Sequence, residues 1–262
     1  MSRIAIFDSG VGGLSIYQEV VKQNPFNNFY YISDNQAFPY GSKDKAELVE
    51  RVSKVVDRID QHYAPDILIV ACNTASTLVL PILRANYEFD IVGVVPAIKP
   101  AAKLSKNKQL AVLATPATIK RSYTDDLIEQ FAVDCRVTRI GSSELVEIAE
   151  SKLYGRPIDI VDIEQIIHPI LDEPEIDTIV LACTHFPLLK DEITQVLSKH
   201  SRDISLVDSC AAIAKRVAGL SKFDEGESTQ SATAVFTQTL NESYFLKLLV
   251  DLGFEQIDLL TV

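Results

Sequence analysis

A chain of 262 residues is longer than most single domains, and its 47% hydrophobic content is enough to bury the cores of two α/β units or of one large barrel. Its 36 acidic residues against 25 basic ones give a formal net charge of -11, so there is no basic face to displace counterions from a phosphate backbone, and nucleic acid is excluded as a substrate. A small anionic substrate stays open, because backbone N–H groups and helix N-termini bind carboxylates whatever the net charge.

The N-terminus passes from MSR straight into the apolar run IAIF, without the basic region, long apolar stretch and cleavage site of a secretory signal. No stretch is long and apolar enough to span a bilayer. A cytoplasmic location is therefore expected, with Cys72, Cys135, Cys183 and Cys210 as free thiols, none of them in a CxxC pair. Short apolar, β-rich runs predict strands at 4–7, 29–32, 67–71, 91–95, 110–114, 178–182 and 204–207. Helical periodicity falls between them at 45–62, 123–130, 145–152 and 163–171. The tail reads as a polar Gly/Ser/Thr-rich stretch at 219–234, a strand at 235–240 (VFTQTL) and a helix at 241–253. Strands alternating with helices predict parallel sheets covered by helices.

The order of events in the first hundred residues recurs in the second hundred. IAIFDSG is matched by LAVLATPAT, ILIVACNTAS by TIVLACTHFP, and IVGVVPAIKPAA by ISLVDSCAAIAK, at an offset that grows only from about 107 to about 113 residues. This pattern predicts two similar doubly wound α/β domains related by a pseudo-two-fold axis: 98–206 as one, and 1–97 with the return of 207–262 as the other. The C-terminal ends of both sets of strands would then face one shared cleft, the usual ligand position in open α/β sheets.

Cys72 and Cys183 each follow an apolar run and precede a predicted helix, in the contexts VACNTAS and LACTHFPLL. A thiol between a strand end and a helix N-terminus feels the helix dipole, which favours thiolate. One such cysteine is more often a small buried hydrophobe. Two in matching places of a duplicated unit, each followed by polar residues, point to chemistry: inversion at carbon needs one group to take a proton from one face and another to deliver a proton to the opposite face. A metal site made of Cys72, Cys183 and His185 lacks any local zinc spacing, and a Cys–His hydrolase leaves Cys72 unexplained. His185, two residues after Cys183, is placed either to share its proton or to cap the next helix. Asp8 is placed either to assist Cys72 and orient an amino group or to make an Asx-turn. The GVGG segment at 10–13 lacks dinucleotide-fingerprint spacing and reads as a tight turn exposing backbone donors to a carboxylate.

The stretches FDSGVGGL at 7–14, SDNQAFPYGSK at 33–43, ACNTAS at 71–76, VVPAIKPA at 94–101 and ACTHFPLL at 182–189 resemble the signature stretches of glutamate racemases, in the same order and across most of the chain. That resemblance implies racemisation of free glutamate without pyridoxal phosphate or metal, with D-glutamate supplied to peptidoglycan. It implies Cys72 as the base acting on D-glutamate and Cys183 as the base acting on L-glutamate, assisted by Asp8 and His185 respectively. Ser9, Tyr40, Gly41, Asn73, Thr74 and Thr184 fall on positions that hold the substrate's carboxylates and amino group, with Thr115 and Thr118 beside them. Asp34 and Glu150 fall on acidic positions near the site. The resemblance also brings homodimers, which are common in the family, and a gyrase-binding role attributed to some members. Racemases of aspartate or hydantoins are the nearest alternative, and the FDSGVGG and PYG stretches favour glutamate. The chain departs from the family pattern in its SDNQAFPYG opening, in SSELVEIAE, which lacks the usual Cys-Pro, and in Cys210, where alanine is typical. It also lacks the N-terminal extension of members activated by a cell-wall precursor.

Overall fold

The computed structural model describes residues 1–222 and 230–262. Among the described residues ten strands form two wholly parallel sheets: β1 (Arg3–Asp8), β2 (Asn28–Ser33), β3 (Ile67–Val70), β4 (Asp90–Gly93), β5 (Gln109–Ala114), β6 (Arg136–Gly141), β7 (Thr178–Ala182), β8 (Ser205–Val207), β9 (Ser231–Phe236) and β10 (Gln256–Leu259). The first sheet runs β10-β9-β2-β1-β3-β4 and the second β6-β5-β7-β8. The central order β2-β1-β3-β4 is thus repeated as β6-β5-β7-β8. Register makes the repeat explicit, since Ile4 pairs with Ile67 and Ile67 with Asp90 in the first sheet, as Leu110 pairs with Thr178 and Thr178 with Ser205 in the second.

The middles of the inner strands are apolar because helices cover both faces, leaving no side for water. β3 and β7 are buried at every residue. Alternate side chains enter opposite cores: Ile4 and Ile6 of β1 join one cluster and Ala5 and Phe7 the other, while Leu110 and Val112 of β5 lie opposite Ala111 and Leu113. A representative covering helix, Lys45–Tyr63, is capped by Asp44, which accepts from Glu47 N at 2.8 Å, and buries Leu48, Val52, Val55, Val56 and Ile59 along one stripe.

The tail differs from the sequence expectation. Its strand is Ser231–Phe236 rather than 235–240, paired with β2 from Asn28↔Ser231 onward, and the chain leaves the sheet at Thr237. The SATA run looked polar, yet Ala232 and Ala234 are small residues that fit the inner face. Part of the polar stretch expected at 219–234 lies outside the described residues. Two edge strands, β6 and β10, carried no apolar run: β6 is partly exposed along its length and pairs Arg136 with Glu173 and Arg139 with Asp125. Among the described residues no helix is long and apolar enough to cross a membrane.

Candidate active site

β3 and β7 end at corresponding places, and each delivers a cysteine to the same cavity. Cys72 is the N-cap of the helix Asn73–Asn86, and Cys183 leads into the short helical turn Phe186–Leu189. Both thiols are buried, at 6% and 7% exposure, and both line a cavity of about 260 Å³. Ser9, Phe38, Pro39, Tyr40, Gly41, Ser42, Asn73, Thr74, Thr115, Ser143, Val146, Glu147, Thr184 and His185 complete the wall. The volume falls just below the roughly 300–1,000 Å³ typical of drug-sized ligands, which suits a single amino acid.

The polar groups around the thiols are tightly placed. Ser9 Oγ lies 3.7 Å from Cys72 Sγ, and His185 Nδ1 lies 3.9 Å from Cys183 Sγ. The other ring nitrogen, Nε2, meets Glu150 Oε1 at 2.7 Å. Behind Cys72, the fully buried Asp8 accepts from Ser9 N and Gly13 N, both at 2.7 Å. Across the cavity Thr74, Thr115 and Thr118 form a triangle of hydroxyls with edges of 3.1, 3.3 and 3.0 Å, joining the two sheets' loops. Asn73 Nδ2 is buried without a hydrogen-bond partner among the described residues, so it is a donor held ready for an acceptor.

Residues 10–217 match the family model described as Asp/Glu/Hydantoin racemase. The glutamate racemase of Serratia proteamaculans (strain 568) is 48% identical over 264 residues, spanning 99% of this chain and 91% of its own length. The chain belongs to the Asp/Glu/Hydantoin racemase family, among its glutamate racemases. Escherichia coli glutamate racemase, solved in complex with L-glutamate and the activator UDP-MurNAc-ala, is similar with a TM-score of 0.91 at 44% identity, over 100% of this chain and 98% of that one. Glutamate racemase isoform RacE1 of Bacillus anthracis gives 0.83 at 27% identity, over 100% of this chain and 97% of its own. Picrophilus torridus aspartate racemase shares the fold, with a TM-score of 0.55 at 16% identity over 84% of this chain and 94% of that one.

In this racemase burial dominates the electrostatics. Burial, then the nearby Asp8 charge, pushes the Cys72 pKa far above the ordinary thiol value, against the pull of Ala75 N–H and Ser9, so the resting group is a thiol. Burial likewise raises the pKa of Asp8, against the opposing pull of His185 and of the Gly13 and Ser9 N–H groups. At His185 burial alone would lower the pKa, but Cys183 and Glu150 outweigh it and leave the imidazole well above its usual value.

Four residues singled out from sequence do not line the cavity. Asp8 sits behind Ser9, Thr118 behind Thr74 and Thr115, Glu150 behind His185, and Asp34 behind Tyr40, whose hydroxyl donates to it at 2.6 Å. The GVGG turn does present donors to carboxylates, but they are the protein's own: Gly13 N to Asp8 and Val11 N to Glu150, the latter at 3.0 Å. A Cβ on Gly12 would collide with the His185 ring, and one on Gly10 with Glu150 and Phe38, so the glycines allow this pair to lie against the backbone. Among the lining residues that the sequence did not suggest, Phe38, Pro39 and Ser42 flank the Tyr40–Gly41 signal and were within its reach. Ser143, Val146 and Glu147 lie in the SSELVEIAE stretch, where the resemblance pointed only to Glu150, and the unrecognised strand β6 before them left their own approach to the cleft unread.

Proposed function

We propose that this racemase interconverts L- and D-glutamate by passing the α-proton between two thiols on opposite faces of the substrate. The observation that carries the reading is the pair of buried cysteines, delivered by equivalent strand ends to one cavity of amino-acid size. One thiol alone returns the proton to the face it came from; two allow inversion. In the L to D direction Cys183 Sγ takes the α-proton, and Cys72, a thiol at rest, gives its Sγ proton to the other face. The reverse direction needs Cys72 as thiolate, and the substrate ammonium, drawn toward Asp8, brings a positive charge to that side of the cavity. His185 exchanges a proton at Cys183 Sγ, and Glu150 holds its ring.

The protein's donors account for the rest of the substrate. Asn73 Nδ2, the N–H groups opening the helix Asn73–Asn86, Thr184, and the hydroxyls of Thr74 and Thr115, backed by Thr118, suit its carboxylates, as do the backbone groups of Tyr40 and Gly41. Ser9 bridges Asp8 and Cys72. One proton leaves the α-carbon and one returns, so the step as written calls for no cofactor or metal. Among the described residues no group of three or more His, Cys, Asp and Glu is arranged to hold a metal ion. Relatives at 44% to 48% identity are glutamate racemases, whereas the aspartate racemase is similar at 16%, which favours glutamate over aspartate or hydantoins. The product fits a cytoplasmic supply of D-glutamate to peptidoglycan.

Incubation with each glutamate enantiomer in deuterated water, followed by circular dichroism and α-proton exchange, tests the reading. Both enantiomers should lose optical activity and take up deuterium, while aspartate and hydantoins should not react. Activity that vanished on exhaustive chelation and returned with zinc would replace the two-thiol step.

A further inference from the structure

We infer that Arg51 is a positioning residue for the substrate pocket, acting through the buried Asp34 carboxylate to fix Tyr40 and the wall from Pro39 to Ser42. Asp34 follows β2 and is completely buried. Its carboxylate is shared by side chains of the following loop, the next helix and the C-terminal return. Arg51, from the helix Lys45–Tyr63, grips both oxygens, with Nη2 on Oδ1 at 2.5 Å and Nε on Oδ2 at 2.8 Å. Tyr40 OH donates to Oδ2 at 2.6 Å, and Thr237 Oγ1, just past β9, donates to Oδ1 at 2.7 Å. The knot is reinforced beside it: Gln36 N donates to Thr237 Oγ1 at 3.1 Å, and Asn35 and Gln238 exchange two bonds of 2.9 Å.

Arg51 does not line the cavity, yet the groups it fixes do. Tyr40 is 1% exposed and packs edge-on to Phe7, with ring centroids 6.3 Å apart. Burial, then Asp34, keeps its phenol protonated, so the hydroxyl stays committed to Asp34. Tyr40 therefore serves the pocket with its ring and backbone, at the head of the short helical turn Tyr40–Ser42. The placement of that turn follows from where Asp34 is held. A guanidinium fork fixes both carboxylate oxygens in one plane, and the point charge of a lysine does not. Removing the cation of a buried ion pair also leaves the carboxylate's charge uncompensated. The C-terminal return, through Thr237, enters the same knot and so shapes a pocket that its own residues do not line.

The inference rests on the cavity being the glutamate site, and the test separates the two. Steady-state racemisation should be measured in both directions for wild type, Arg51→Lys, Arg51→Leu and Arg51→Leu/Asp34→Asn, with thermal unfolding of each. KM should rise several-fold for Arg51→Lys and on the order of tenfold for Arg51→Leu, with kcat held within about twofold, as expected when substrate holding is lost but the reacting groups stay in place. The double variant, which removes the unpaired buried charge, should recover part of the KM. Unchanged KM in both single variants of an active enzyme, or a loss of active fraction tracking a lower melting temperature at constant KM, would overturn the role of Arg51. A wild type that does not racemise glutamate would overturn the substrate assignment and this inference with it.

Discussion

Cys72 closes β3 with Ser9 3.7 Å from its sulfur and the Asp8 carboxylate behind, whereas Cys183 closes β7 with His185 at 3.9 Å and Glu150 behind that ring. The duplication relates the two thiols, and strand register also sets Thr74 against His185 and Ser9 against Thr115. The equivalents therefore carry different chemistry. Thr74 and Thr115 meet as hydroxyls across the two sheets' loops, while their counterparts His185 and Ser9 belong to the edge that holds Asp8 and Glu150. In the proposed mechanism a twofold-related pair of thiols supplies two faces of attack. The unlike neighbours let one rest as a thiol while the other sits beside a protonatable ring.

The largest effect should come from the thiols themselves. Cys72→Ser and Cys183→Ser should each lower racemisation by on the order of a thousandfold or more with folding intact, since serine is nearly isosteric and far too weak an acid to form the base. Each should still remove the α-proton of one enantiomer of an analogue with a leaving group on the β-carbon: Cys183→Ser that of the D-form, Cys72→Ser that of the L-form. The same enantiomer preference in both variants would end the assignment of one thiol to each face.

Next come the neighbours that break the symmetry. Asp8→Asn and His185→Asn should lower turnover by roughly ten- to a hundredfold, unequally in the two directions, each more in the step that depends on its own thiol. Equilibrium is unaffected, so separate kcat values and isotope effects in each direction are the measurement. Equal losses in both directions would reduce both residues to scaffolding.

A smaller effect follows from the glycine turn. Gly12→Ala sets a methyl group against the buried His185 ring and should cost about tenfold in activity by displacing the imidazole from Cys183, with a lower melting temperature because the ring is overpacked and pulled from Glu150. Full activity in Gly12→Ala would show that the ring position is not critical.

The smallest effect is on stability. The pKa of His185 is raised in the folded state, so its contribution is complete below about pH 6.5, the unperturbed value, and is lost as pH rises through the folded value. The melting-temperature gap between wild type and His185→Gln should therefore be largest near pH 6 and narrow above it, at about 2–4 °C per kcal/mol. A gap that widened with pH would mean that the folded imidazole is neutral.

The inner strands and the thiols were legible in the sequence for one shared reason. β1, β3, β5 and β7 are buried on both faces and so read as unbroken apolar runs, and each runs directly into its site residues: Asp8 and Ser9, Cys72 to Thr74, Thr115, and Cys183 to His185. Edge strands β6 and β10 face water and carry charge, which hides them from an apolar-run reading. With β6 unread, the SSELVEIAE stretch pointed only to Glu150 and not to Ser143, Val146 and Glu147. Arg51 looks like any charged residue of an amphipathic helix; only the fold brings it to Asp34.

What the sequence determined by itself is the pair of α/β units and the residues placed at the strand ends, because both are written in contiguous residues with a strict period and a fixed strand-to-helix turn. What the tertiary structure decided is everything that requires two distant segments to meet. Glu150 behind His185, Thr74 against Thr115 and Thr118, and Arg51 with Thr237 on Asp34 are long-range hydrogen bonds with no local signature. Burial, which keeps Cys72 a thiol and raises Asp8, exists only once the sheets have closed over the cleft and removed water from it.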